Sequence, residues 1–235
     1  MHGDAGGAAL SPMPDLTSDE SATVVLGLGT SSEDAFPADV AGAPCLVAVR
    51  HGETLWTLQR RHTGRTDIPL DEVGERQAEG LGRRLAGRTF AAVLTSPLAR
   101  ARETCALAGF GLVAQQREDL CEWDYGEDEG KTTAEICVER PGWSLWREGT
   151  PGGETLDDVA RRAERVIDEV RGVGGDVLVF SHAHFLRVLA ALWLGLDASN
   201  GARFVLRPAS ISVLGWEHDE PAILRWNDDG TFPLE

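Results

Sequence analysis

Three short segments in this chain end in groups suited to holding or attacking an anion. Arg50-His51-Gly52-Glu53 follows the apolar run Cys45-Leu46-Val47-Ala48-Val49. Ser96-Pro97-Leu98-Ala99-Arg100-Ala101-Arg102 follows Ala91-Ala92-Val93-Leu94-Thr95, and His182-Ala183-His184 follows Val177-Leu178-Val179-Phe180-Ser181. A guanidinium forks onto two oxygens of a phosphate, and a neutral imidazole can attack phosphorus. A glycine between them lets backbone approach an anion without an intruding Cβ. The chemistry this combination offers is phosphoryl transfer through a histidine.

For the three segments to act together, their apolar runs must be neighbouring parallel strands. Short runs rich in β-branched residues, the first preceded by Gly42 and Pro44, read as buried strands. In an open parallel sheet their carboxyl ends share one edge, where ligands bind. Between them the pattern switches to helical spacing. Ala78, Leu81 and Leu85 share a face behind Asp71, a candidate cap. A helix is expected from Pro97 to about Ala108, with proline in its first turn. Thr132-Thr133-Ala134-Glu135 reads as a capping box. Thr155 opens a helix with Val159, Ala163, Val166, Ile167 and Val170 on one face, and its Asp157–Arg161 and Asp158–Arg162 pairs read as a solvated face. The helix after His184 carries Leu186, Leu189, Leu192 and Trp193 and ends near Gly195. Ile211–Trp216 and Ala222–Trp226 are expected to close the sheet. This alternation predicts an α/β fold, a three-layer α/β/α sandwich around a mostly parallel sheet.

The motifs resemble those of the histidine phosphatase superfamily, the phosphoglycerate mutase-like family. The matching blocks are Arg50-His51-Gly52-Glu53-Thr54, Ser96-Pro97-Leu98-Ala99-Arg100-Ala101 with Thr104, Glu122 before Trp123-Asp124-Tyr125-Gly126, Gly153-Glu154-Thr155, and Ser181-His182. The likeness spans roughly residues 45–226. It is strongest toward short bacterial acid phosphatases and the fungal sedoheptulose-bisphosphatase type, through Glu122–Gly126, Glu129-Gly130, Trp143, Trp146-Arg147, Gly149 and Gly153–Thr155.

The resemblance implies roles. His51 is the nucleophile. Arg50, Arg100 and His182 surround the non-bridging oxygens where charge develops. Arg102 competes with Arg100 by type, and the family pattern selects Arg100. Glu122 is the general acid, with Asp124 the runner-up among five nearby acids. A mildly acidic optimum follows from needing Glu122 protonated and His51 neutral. Thr57, Thr63, Gly64, Trp123, Tyr125, Arg147 and Ala183 are candidate substrate contacts, and Arg147 is a candidate for a second phosphate. Ala183 departs from the family's commoner glycine. Glu154 either orients the site or serves only as a helix-start carboxylate. Trp56, Trp143 and Trp146 are core or substrate mouth. No cofactor and no metal is expected, although His182-Ala183-His184 could be read as a ligand pair.

Composition bounds the rest. The 235 residues suit one large domain with a tail. Residues 1–43, rich in Gly, Ala, Ser, Pro and Asp, are expected to be a disordered tail, unless translation starts nearer Met13. Residues 44–228 form the catalytic domain and 229–235 a short C-terminal tail. A net charge of −16 argues against nucleic-acid and anionic-membrane partners. Cys45, Cys105, Cys121 and Cys137 show no paired spacing and fit buried thiols in a reducing cytosol. No apolar run reaches membrane-spanning length, and no basic segment precedes Val24–Gly29, so a cytoplasmic location is expected. The expected partner is a small phosphorylated metabolite, with homo-oligomerisation left open. A phosphatase acting on sugar or glycerate phosphates leads. A phosphoglycerate mutase is the alternative, disfavoured because only about thirty residues separate Glu122 from Glu154. A binding module that merely holds a phosphorylated partner would have lost a catalytic residue, and none is missing.

Overall fold

A computed structural model describes Met1, Val24–Val25 and residues 44–231. Its strands in chain order are β1 (Val24–Val25), β2 (Leu46–Arg50), β3 (Thr89–Phe90), β4 (Ala92–Thr95), β5 (Gln115–Gln116), β6 (Val177–Ser181), β7 (Ile211–Glu217) and β8 (Glu220–Asp228). Its α-helices are α1 (Leu55–Leu58), α2 (Glu72–Leu85), α3 (Ala99–Leu107), α4 (Thr133–Glu139), α5 (Leu145–Glu148), α6 (Leu156–Gly172) and α7 (Ala183–Trp193).

The main sheet has the order β5-β4-β6-β2-β7-β8. Its β5, β4, β6 and β2 are parallel, and β7 and β8 close it antiparallel. Burial on both faces explains why β2 and β6 read as unbroken apolar runs. Leu46 and Ala48 pack with Val159 and Ala163 of α6 and Leu189 of α7. Val47 and Val49 pack with Leu81 and Leu85 of α2 and Cys105 of α3. Helices therefore cover both faces, giving the expected three-layer α/β/α arrangement.

Local signals set the helix starts. Asp71 accepts the Gly74 N–H at 2.8 Å, and complete capping boxes open α4 at Thr132 and α6 at Thr155. Two local expectations need correction. Helix α3 begins at Ala99, two residues beyond Pro97, because Ser96 Oγ and Asp67 Oδ1 accept the N–H groups of Leu98 and Ala99. Arg162 does not pair with Asp158 on a solvated face. It is 8% exposed and turns inward to Glu154, while Arg161 takes Asp158.

Most of the expected N-terminal tail lies outside the described residues, as does Met13. Within it, Val24–Val25 pairs antiparallel with Thr89–Phe90. At the other end Asp229 still belongs to the fold, bound to Arg207 Nη1 at 2.9 Å, and residues 232–235 lie outside the described set. None of the four cysteines is in a disulfide; Cys105 and Cys121 are buried as expected, whereas Cys45 and Cys137 are only half-buried. No helix among the described residues is long and apolar enough to cross a membrane.

Candidate active site

Sheet register brings the three motifs level. Arg50 stands opposite Ser181 and Thr95 opposite Phe180, so His51, Ser96 and His182 emerge side by side. His51 N–H donates to the Ser181 carbonyl and Ser96 N–H to the Phe180 carbonyl. A cavity of about 380 Å³ opens at this edge, lined by Arg50, His51, Glu122 and Tyr125 among others.

His51 is held as a nucleophile would be. Its Nδ1 lies 2.7 Å from the Gly52 carbonyl, which can only accept, so the ring proton sits on Nδ1 and the Nε2 lone pair is free. Burial first, then Arg100 and Arg50, pushes its pKa well below 6.5, keeping the ring neutral. The following turn is tightly packed. A Cβ on Gly52 would lie 2.6 Å from the Gly74 carbonyl oxygen, and one on Gly74 would lie 2.1 Å from that of Glu53. The two glycines let α2 abut the motif directly.

Arg50 Nη1 donates to the Leu206 carbonyl at 2.5 Å. Its Nε is the one buried side-chain nitrogen or oxygen without a partner among the described residues. Burial lowers the Arg50 pKa to about 10, against the opposing pull of Glu122. Arg100 and His182 form a layer behind His51 rather than a ring around the cavity. Arg100 is fully buried and donates to His182 Nδ1 at 3.1 Å and to the carbonyls of Thr63, Gly64 and Thr66. Because His182 Nδ1 accepts, its Nε2–H donates to Ser96 Oγ at 2.8 Å. The His51 and His182 ring centres are 5.2 Å apart. Arg102 is exposed.

Glu122 is fixed by main chain. Oε1 accepts from the N–H groups of Trp123 and Phe185 at 2.9 Å, and Oε2 from that of His184 at 3.0 Å. Two of these are first-turn donors of α7, which its own N-cap His182 cannot satisfy because that ring is engaged elsewhere. Three of a carboxylate's roughly four lone-pair positions are thus taken, leaving one for a proton. Asp124 points away, accepting from Gly126 N and pairing with Arg65, and does not line the cavity. Glu154 has an orienting role. It takes Arg162 through two 2.8 Å bonds and accepts Asp124 N–H at 2.9 Å, while Arg162 also donates to the carbonyls of Asp119, Cys121 and Glu122.

The remaining expectations divide. Thr57, Thr63, Tyr125 and Ala183 line the cavity. Thr57 Oγ1, however, donates to the Thr54 carbonyl within the α1 capping box. Gly64 N–H donates to Glu129, so it is not placed for a phosphate. Trp123 is fully buried with Nε1 donating to the Glu154 carbonyl, making it core. Arg147, on short α5, donates to the Gly142 carbonyl away from the cavity. Arg187 lines the cavity instead, as do Arg60 and Arg61; its Nε and Nη2 are held by the Gly201 and Ala202 carbonyls and its guanidinium lies 4.7 Å from the Trp146 ring centre. Its signal was four-residue spacing from Ala183 along α7. His62 and His184 also line the cavity without having been marked as substrate contacts. Among the described residues no group of three or more His, Cys, Asp or Glu is placed to hold a metal ion.

Comparison with known proteins gives the family. The model of the histidine phosphatase superfamily (branch 1) matches residues 46–229. An acid phosphatase of Mycobacterium tuberculosis is 38% identical over 177 residues, 74% of this chain and 87% of the relative. The sedoheptulose 1,7-bisphosphatase of Saccharomyces cerevisiae is 36% identical over 186 residues, 65% of this chain and 68% of the relative. A 2,3-bisphosphoglycerate-dependent phosphoglycerate mutase of Gloeobacter violaceus is 34% identical over 206 residues, 80% of this chain and 88% of the relative. A mycobacterial glucosyl-3-phosphoglycerate phosphatase, solved in complex with VO3, has a TM-score of 0.70 at 29% identity and covers 79% of this chain and 100% of its own. With Arg50-His51-Gly52 at the sheet edge and Glu122 across the cavity, this chain belongs to branch 1 of the histidine phosphatase superfamily.

Proposed function

We propose that the protein is a metal-independent phosphatase for small phosphate monoesters, sugar or glycerate phosphates among them, working through a phosphohistidine on His51. The observation that carries the reading is an open His51 Nε2 in a cavity that Arg50 and Glu122 also line. Nε2 attacks phosphorus while the bond from phosphorus to the ester oxygen breaks. Glu122 gives its proton to the departing oxygen, releasing an alcohol. Glu122, now a carboxylate, takes a proton from water as that water attacks the phosphohistidine, and inorganic phosphate leaves. Arg50 faces the phosphoryl oxygens, and Arg100 supplies positive charge from behind the imidazole.

The test is ³¹P NMR in EDTA with a sugar phosphate, 3-phosphoglycerate and an aryl phosphate, beside His51→Ala. Growth of inorganic phosphate in the wild type alone supports the reading. Isomerisation of 3-phosphoglycerate without phosphate release would make the protein a mutase, like its Gloeobacter relative. An unchanged wild-type spectrum in EDTA would sink the metal-free mechanism.

A further inference from the structure

Two imidazoles on the cavity wall have their tautomers set in opposite senses. Tyr125 Oη lies 2.7 Å from His184 Nδ1. The phenol is buried, carries one proton and has no other partner, so donating to Nδ1 is the arrangement that leaves no buried donor unpaired. Burial, then Glu122, holds the phenol's pKa well above its ordinary value, so the proton stays in place. His184 therefore carries its own proton on Nε2. His62 is the reverse case. Its Nδ1 lies 2.9 Å from the Lys131 carbonyl, which can only accept, so Nδ1 is protonated and Nε2 is a bare acceptor. Among the described residues neither Nε2 has a protein partner. Neither is buried, since Arg50 Nε alone is both buried and unpartnered among the described residues. Both residues line the cavity, with rings 13° from parallel and centres 6.2 Å apart.

We infer that His184 Nε2–H and His62 Nε2 form a donor–acceptor pair that reads hydroxyl groups on the leaving alcohol, selecting phosphate esters of polyols. A hydroxyl gives one proton and accepts another, so one fixed donor beside one fixed acceptor matches it. An apolar leaving group would dehydrate both nitrogens and return nothing, the kind of mismatch that binding sites reject most strongly. Arg187, pinned by two carbonyls and the Trp146 face, adds a donor beside the pair at little cost in ordering. The inference rests on the phosphatase reading above and names what that site selects.

The test compares kcat/KM for sorbitol 6-phosphate and n-hexyl phosphate, esters of equal chain length with and without free hydroxyls. The wild type should favour the polyol ester at least tenfold. In His62→Phe and His184→Phe that ratio should fall by roughly tenfold, the scale of one lost hydrogen bond. His62→Gln, whose amide oxygen restores an acceptor, should keep the ratio within about threefold of wild type. Each ratio is internal to one variant, so partial loss of folded protein cancels. A wild-type ratio near one, or a ratio unmoved in both Phe variants, overturns the inference while phosphate release upholds the phosphatase. Release from neither ester nor from p-nitrophenyl phosphate overturns the phosphatase reading and the inference with it.

Discussion

Lowering the pH from 7.5 to 5.5 should destabilise the fold by a few kcal/mol through three imidazoles whose protonation the fold opposes. His51, His182 and His184 all have pKa values held well below 6.5, in each case by burial first and then by an arginine, Arg100 for the first two and Arg187 for the third. In the unfolded chain each titrates near 6.5. Between the folded and unfolded values the unfolded state binds a proton that the folded state refuses, so stability rises with pH and falls with acid. For each histidine the loss between these pH values is on the order of 1 kcal/mol, with a ceiling of 2.303RT per pH unit below the unfolded pKa. Three together lose a few kcal/mol, a large share of the ~5–15 kcal/mol typical of a domain. Asp119, Asp228 and Asp229, whose pKa values lie below 3.8, lose their contribution only at lower pH. Urea unfolding followed by tryptophan fluorescence at pH 5.5 and 7.5 measures the difference. His184→Gln should reduce it by about a third. A wild type equally stable at both pH values, or a variant that loses as much as the wild type, would refute the argument. If the loss is found, the catalytic optimum is bounded on its acid side by the fold as well as by chemistry.

Glu122→Gln should lower kcat by ~10² to 10⁴ for alkyl phosphates and much less for p-nitrophenyl phosphate, whose leaving group needs little protonation; equal losses on both would exclude the acid role. Arg162→Met strips Glu154, 16% exposed at its side chain, of its partner. We expect a loss of about 3 kcal/mol, the low end for a buried pair, and a fall in Tm of roughly 6–12 °C by calorimetry, only partly recovered by adding Glu154→Leu, because the carbonyls of Asp119, Cys121 and Glu122 still lack their donor. Gly74→Ala drives a Cβ to 2.1 Å from the Glu53 carbonyl oxygen and should cost ~1–3 kcal/mol while lowering kcat by shifting the His51 turn. Gly80→Ala in the same helix meets only Arg83 Nη2 at 3.7 Å and should be neutral or stabilising by up to ~1 kcal/mol in the same melts.

The sheet edge was legible because a strand buried on both faces must be apolar throughout, so β2, β4 and β6 announce themselves and their last residues mark the edge. Caps such as Asp71 and Thr155 were legible because they act within one turn. What stayed hidden depends on distant chain. Nothing near Arg162 in sequence says that it turns inward to hold the Asp119–Glu122 segment. Arg147 and Arg187 are equally plausible cations by type, but α5 carries the first away and α7 carries the second in. Thr57 has the right hydroxyl in the right place and spends its proton on a local cap. The tautomers of His62 and His184 are set by a carbonyl and a phenol more than fifty residues distant.

The grip on Glu122 has an evolutionary consequence. Both α7 groups that hold it are peptide N–H groups, present whatever side chains stand at positions 184 and 185, proline excepted. The side chains of that same helix, His184 and Arg187, line the cavity. Mutation can therefore reshape the cavity wall, one α7 residue at a time, while Glu122 keeps its place. Such a division would let one family drift among many phosphate esters without repeatedly reinventing the reaction.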